Sequence, residues 1–128
     1  MHELVAICDT CKQPIDDNQG HLYAAFDQIR ANLTPEPSAL REALAVETIL
    51  VGKPIHWRAR HYACTPKDAG EVYGIEVCQI RTWARLTEWT AHLMPKNWFP
   101  RSDWAALLMA CATGRPGPIA QASALAAG

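Results

Sequence analysis

Two short stretches, Cys8-Asp9-Thr10-Cys11 and His61-Tyr62-Ala63-Cys64, decide the fold of this chain. Each stretch places two residues between two metal-ligating side chains, a spacing at which a tight turn can aim both at one ion. Together they offer three thiolates and one imidazole, which is a complete tetrahedral shell for a structural zinc ion. Four protein ligands leave no position for water or substrate, so we expect the metal to act in folding rather than in catalysis.

Other interpretations of these cysteines stay open at this point. Cys78 could take the place of His61 as the fourth ligand, or the four residues could be unrelated. A redox role for the Cys8–Cys11 pair would need a strand-to-helix context, and Pro14 with the acidic turn after it does not provide one. Zinc ligation by Cys8, Cys11, His61 and Cys64 is the interpretation that the spacing favours.

The residues around the ligands resemble a treble-clef or LIM-type zinc knuckle. The resemblance is carried by Cys8, Cys11, Pro14 and Ile15 of the sequence CDTCKQPI, by residues 20–26 as a following strand, and by Trp57 ahead of His61 and Cys64. It implies an insertion, residues 27–53, between the two ligand pairs. Residues 89–94, together with Trp98 and Trp104, also resemble small actinobacterial phage or mobile-element proteins, which implies a setting but no activity.

Length and composition indicate one small globular domain. A chain of 128 residues can bury a modest core, and at this size a bound metal would matter to stability. Five cysteines, three of them at ligand spacings, favour a reducing compartment over a disulfide framework. No stretch is apolar enough to span a bilayer, so we expect a cytoplasmic protein with no membrane partner. Cys78 and Cys111 lie among apolar neighbours and are expected to be buried.

Charge is unevenly distributed between the two parts of the chain. Residues 1–50 hold three bases and eight acids, giving 3 − 8 = −5, whereas residues 51–128 hold nine bases and five acids, giving 9 − 5 = +4. This polarity indicates either surfaces that face different partners or simply two solvated faces of one domain.

Hydrophobic periodicity predicts an α+β fold. Strands are expected over residues 2–7, 21–26, 55–61 and 72–77, and helices over residues 38–51, 80–94 and 102–113, with Ser102 as the N-cap and Gly114 as the terminator of the last. We therefore expect a small antiparallel sheet with one zinc knuckle, packed against two to three helices within residues 1–114. Residues 115–128 are rich in Gly, Pro, Ala and Ser and are predicted to be a disordered tail.

Two modes of binding follow from the aromatic and basic residues. Trp is enriched where proteins bind one another, and four of the five tryptophans lie in the C-terminal helical part. The leading hypothesis is a regulatory or adaptor protein that binds a protein partner through Trp89, Trp98, Lys96 and Arg101, with Trp98 exposed on its loop. The alternative is a nucleic-acid-binding, DNA-regulatory module that uses Lys53, Arg58, Arg60, Arg81 and Arg85.

No catalytic motif stands out in the sequence. The serines and histidines lack a nucleophile-elbow setting, and no glycine-rich phosphate loop is present. The carboxylates are scattered over predicted turns and helix surfaces. We therefore expect a binding protein rather than an enzyme.

Overall fold

The computed structural model describes residues 3–33 and 54–127. Over these residues the α+β class is confirmed. The elements are β1 (Leu4–Ile7), β2 (Pro14–Ile15), β3 (Gly20–Ala25), α1 (Phe26–Leu33), β4 (Trp57–His61), β5 (Val72–Glu76), α2 (Trp83–Leu93), α3 (Trp104–Thr113), β6 (Ile119–Gln121) and α4 (Ala122–Ala127). The predicted helix over residues 38–51 lies outside the described residues.

The described strands form two three-stranded antiparallel sheets, where the sequence led us to expect one. The first sheet has the order β2-β1-β6 and the second has the order β4-β3-β5. In β3, buried Leu22 lies between Ala59 of β4 and Ile75 of β5, and alternate residues Gly20 and Ala24 are buried with it. This period of two gives β3 one face toward the core, as a half-buried strand requires.

The predicted disordered tail is wrong for residues 119–121. These residues form β6, which pairs with β1 through Leu4–Gln121, Val5–Ala120 and Ala6–Ile119, and Ile119 is fully buried. Ile119 and Leu125 are the two large apolar residues in the weakly patterned segment 115–128, so its composition suggested disorder. The backbone N–H and C=O groups on the free edge of β1 pair with those of residues 119–121. This pairing outweighs the tendency to disorder that the composition suggested.

Helices α2 and α3 pack through buried apolar faces and have clear ends. The Thr82 side chain caps α2 by accepting from the Arg85 N–H at 3.2 Å. Gly114 ends α3 in the left-handed conformation, with φ of 72°, as its predicted role as terminator requires. The N-cap of α3 is Asp103 rather than Ser102. The Asp103 carboxylate instead accepts from the backbone N–H of Trp57 at 2.8 Å, which ties α3 to β4.

Aromatic side chains fill the space between the second sheet and the helices. The ring centroid of Trp57 lies 4.9 Å from that of Trp104 and 5.9 Å from that of Trp98. The Trp104 indole N–H also donates to the Thr90 hydroxyl at 2.9 Å, which joins α3 to α2. No helix among residues 3–33 and 54–127 is long and apolar enough to cross a membrane.

Candidate metal centre

The four predicted ligands come together where the two sheets meet. Cys8 directly follows β1 of the first sheet and Cys11 lies in the turn after it, whereas His61 ends β4 of the second sheet. Cys64 completes the set from the short 3₁₀ helix Tyr62–Cys64. One Sγ or ring-nitrogen atom from each residue lies within 4.8 Å of all the others.

These separations suit one metal ion. Zinc bonds of 2.0–2.3 Å in a tetrahedron place neighbouring ligand atoms about 3.3 to 3.8 Å apart. Nδ1 of His61 lies 3.3 Å from Sγ of Cys11 and 3.9 Å from Sγ of Cys64. A divalent ion could therefore be held by Cys8, Cys11, His61 and Cys64 with little movement of the chain.

A hydrogen bond fixes which nitrogen of His61 faces the cysteines. Nε2 of His61 lies 3.1 Å from the carbonyl oxygen of Pro14, which can only accept, so Nε2 carries the proton. Nδ1 is then the nitrogen with a free lone pair, and it is the one beside the sulfurs. Metal-binding histidines are commonly oriented by such a bond from the second ring nitrogen. This role of the Pro14 carbonyl was not predicted from the sequence, because a backbone acceptor leaves no signal in residue type.

The backbone of the knuckle, residues 8–15, stabilises a thiolate at Cys8. The Cys11 N–H donates to the Cys8 sulfur at 3.5 Å. Burial raises the pKa of the Cys8 thiol, but the polar backbone groups of Cys11, His61 and Thr10 around the sulfur bring the pKa down to about 6. At Cys64, burial and then the neighbouring Cys8 and Cys11 raise the thiol pKa to about 11. The crowded sulfurs therefore resist holding three negative charges together, and a bound dication would relieve that repulsion.

Two backbone features hold the knuckle in place. Lys12 has φ of 64°, a left-handed conformation in which its N–H donates to the Cys8 carbonyl at 3.0 Å and closes the turn. The Asp9 N–H donates to the carbonyl of Ala59 at 2.7 Å, which joins the knuckle directly to β4.

At Gly20, opposite His61 in the sheet, an added Cβ would overlap the carbonyl of Arg60, so only glycine fits there.

The predicted protein-binding residues do not form one exposed surface. Trp98 is only 7% exposed, contrary to the prediction, because the 3₁₀ turn Phe99–Arg101 folds its indole against Trp57 and Tyr73. Lys96 lies over the ring of Tyr73, with Nζ 5.2 Å from the centroid. Trp89 is half-buried and packs edge-on to His92, and Arg101 is exposed.

The alternative set of basic residues is also divided by the fold. Arg60 and Arg81 are each 8% exposed, so neither is available to bind phosphate. The Arg60 guanidinium lies 4.1 Å from the ring centroid of Tyr23, and Nε of Arg81 donates to the Asp17 carboxylate at 2.7 Å. Arg58 and Arg85 are exposed, and Lys53 lies outside the described residues.

The remaining cysteines differ from each other. Cys111 is buried, as expected, and burial raises the pKa of its thiol. Cys78 is exposed, contrary to the prediction, because in the turn Val77–Gln79 it is Val77 that is buried. The sequence pattern could not separate Cys78 from its apolar neighbours, since a 3₁₀ turn breaks the strand period.

Comparison of the chain with protein-family models, with curated proteins and with solved structures finds no match in any of the three. The treble-clef and mobile-element resemblances therefore stay predictions. The chemistry of the four ligands and the shape of the surface are the basis for assigning a function.

Proposed function

We propose that this chain is a small zinc-stabilised adaptor that binds another protein. The zinc ion would be structural and held by Cys8, Cys11, His61 and Cys64. The observation that supports it is the convergence of four ligand atoms within 4.8 Å, from segments that belong to different sheets. Three thiolates and one imidazole form a donor set that suits zinc and leaves no open coordination position.

Elemental analysis of the purified protein tests the metal assignment. We expect one zinc per chain, lost on treatment with a strong chelator and restored by adding zinc. Protein that is fully folded without any metal at neutral pH would contradict the assignment.

The outer face of α3 supports the binding role. The helix Trp104–Thr113 contains no charged residue, although half of its residues are exposed. Met109 in this helix is 61% exposed. Helices that face water normally carry a polar side, so an uncharged outer face indicates a surface that another molecule covers.

A groove between α2 and α3 gives this surface its shape. Its walls combine large apolar side chains with alanines and threonines, namely Trp83, Leu86, Thr87, Thr90, Ala105, Leu108, Met109 and Ala112. Alanines allow a second backbone to approach closely, and Met109 can adapt its shape to the occupant. No charged residue lines the groove, so it suits the apolar stripe of an amphipathic helix, with the charges of that helix kept outside. We propose such a helix from a partner protein as the occupant.

Two exposed methionines provide a matched test of this surface. Met109 lines the groove, whereas Met94, which is 62% exposed at the end of α2, does not. We expect Met109→Glu to weaken binding to the purified partner at least tenfold and Met94→Glu to leave it nearly unchanged, with similar melting temperatures for both. The partner is first captured from the native host after nuclease treatment.

Salt dependence separates this proposal from nucleic-acid binding. An apolar interface should keep its affinity between 50 and 200 mM salt, whereas phosphate binding weakens by orders of magnitude over a similar range. Equal loss of affinity in the Met94 and Met109 variants would contradict the groove.

A further inference from the structure

A second surface, separate from the helical groove, lies beside the metal centre. This knuckle cleft has a volume of about 620 Å³ and is open to solvent on one side. That volume is within the range of ligand-binding sites. Its floor is apolar and comes from β1, β4, α3 and the C-terminal segment, through Ile7, Trp57, Ala59, Cys111, Pro118 and Ala120.

The rim of the knuckle cleft is positively charged. Its charged residues are Lys12, Arg58, Arg115 and Asp9, so the formal balance is 3 − 1 = +2. With zinc bound, the neighbouring site of one dication and three thiolates carries 2 − 3 = −1, and the region as a whole stays positive.

The cations on this rim have more hydrogen-bond donors than the neighbouring carboxylate can accept from. Lys12 and Arg58 share the single carboxylate of Asp9, each at 3.8 Å, which is longer than a hydrogen bond. Among the described residues, Arg115 has no carboxylate within ion-pair distance. An ammonium offers three donors and a guanidinium five, so one shared carboxylate cannot satisfy them.

Trp57, one of the residues that line the cleft, carries an unsatisfied donor on its buried side chain. The indole Nε1 of Trp57 is buried and, of the buried side-chain nitrogen and oxygen atoms in the described part of the chain, it alone has no hydrogen-bond partner. Native proteins pair almost all such atoms.

We propose that the knuckle cleft binds an acidic peptide segment, with carboxylates at the rim and apolar side chains on the floor. Arginine and lysine recognise carboxylates by charge-assisted hydrogen bonds, and the apolar floor accounts for the rest of the ligand. Single-stranded nucleic acid fits less well, because it binds by stacking bases on exposed rings. The one aromatic residue of the cleft, Trp57, is buried.

The test uses the zinc-loaded full chain and two matched fluorescent peptides. The probes are Leu-Glu-Ala-Glu-Leu and Leu-Gln-Ala-Gln-Leu, which differ only in charge, and binding is measured by fluorescence anisotropy. We expect saturable binding of the acidic peptide, at least tenfold tighter than that of the neutral one. The double variant Arg58→Gln/Arg115→Gln should weaken it at least tenfold. Arg85→Gln, an exposed arginine on α2, should not change it.

Backbone amide shifts in the unmodified protein give a second measurement that does not depend on how the variants fold. The acidic peptide should shift the amides of Asp9, Arg58, Arg115 and Ala120. Four results would overturn the proposal: no saturable binding, equal affinity for both peptides, shifts that map elsewhere, or tighter binding of a ten-residue oligothymidylate. Because Met109 lies outside the cleft, Met109→Glu should leave peptide binding unchanged, so this test and that of the helical groove can fail independently.

Discussion

Replacement of Cys11 by serine isolates the contribution of the metal to stability. Cys11 is exposed, so Cys11→Ser removes a proposed ligand without opening a cavity in the core. Structural zinc contributes an apparent 10–16 kcal/mol in small modules, so the loss of one of four ligands should lower the free energy of unfolding by roughly 3 kcal/mol. For a chain of this length that corresponds to a fall in melting temperature of about 10 °C.

Cys78→Ser is the matched control, because Cys78 is also an exposed cysteine but lies outside the four-residue cluster. Thermal unfolding is followed by circular dichroism in zinc-containing buffer and again with excess chelator. We expect Cys78→Ser to melt like the unmodified protein in both buffers. Cys11→Ser should melt lower in zinc buffer and match the unmodified protein once the metal is removed.

The effect should also be localised in the structure. Strands β1, β2 and β6 have four, two and three residues, too few to be stable without support, whereas β3 has six residues and pairs at five positions with each of its neighbours. Hydrogen exchange after chelation should therefore speed up first in β1 and β6. Equal melting temperatures of Cys11→Ser and Cys78→Ser in zinc buffer would refute the assignment of Cys11 as a ligand.

Substitutions at three further positions test the packing and the backbone conformation around the site. Trp98→Ala should lower the free energy of unfolding by about 3 to 5 kcal/mol in urea titrations, because the indole is buried; an unchanged midpoint would place Trp98 at the surface. Gly20→Ala should cost about 1 to 3 kcal/mol through overlap with Arg60 and should also weaken zinc affinity, and a fully stable variant would contradict the close packing. Lys12 has a left-handed backbone conformation, which glycine adopts easily and a β-branched residue does not. Lys12→Gly should therefore raise the free energy of unfolding by about 0.5 kcal/mol, and Lys12→Val should lower it by about 1 to 2 kcal/mol. The opposite order would contradict that conformation.

The cluster of Cys8, Cys11, His61 and Cys64 was predictable because its signal is local. Two residues between each pair define a turn, and the alternation in residues 55–61 predicts the strand that delivers His61. The same local reasoning predicted β1, β3, β5, α2 and the end of α3 at Gly114. In each case the residues that decide the element are neighbours in sequence.

Features that depend on distant partners were not predictable in this way. Residues 119–121 become a strand only because β1, at the other end of the chain, has a free edge. Trp98 was predicted to be exposed because Pro95 and Pro100 restrict its loop. The restricted loop instead places the indole against Trp57. Prolines limit the conformations of a loop, but they do not determine whether its side chains point toward the core or toward solvent.

The four-residue cluster lies at a point where a metal ion would connect the two sheets. The first sheet contains nine residues in its three strands, and its described backbone link to the second sheet at the knuckle is the bond from Asp9 to Ala59. A metal held by Cys8 and Cys11 on one side and by His61 and Cys64 on the other would join the two sheets at this point. The same joint forms one end of the knuckle cleft, with Cys8 and Asp9 in its wall. Loss of the metal should therefore disorder the cleft before it affects the groove between α2 and α3, which contains no residue of β1, β2 or the knuckle.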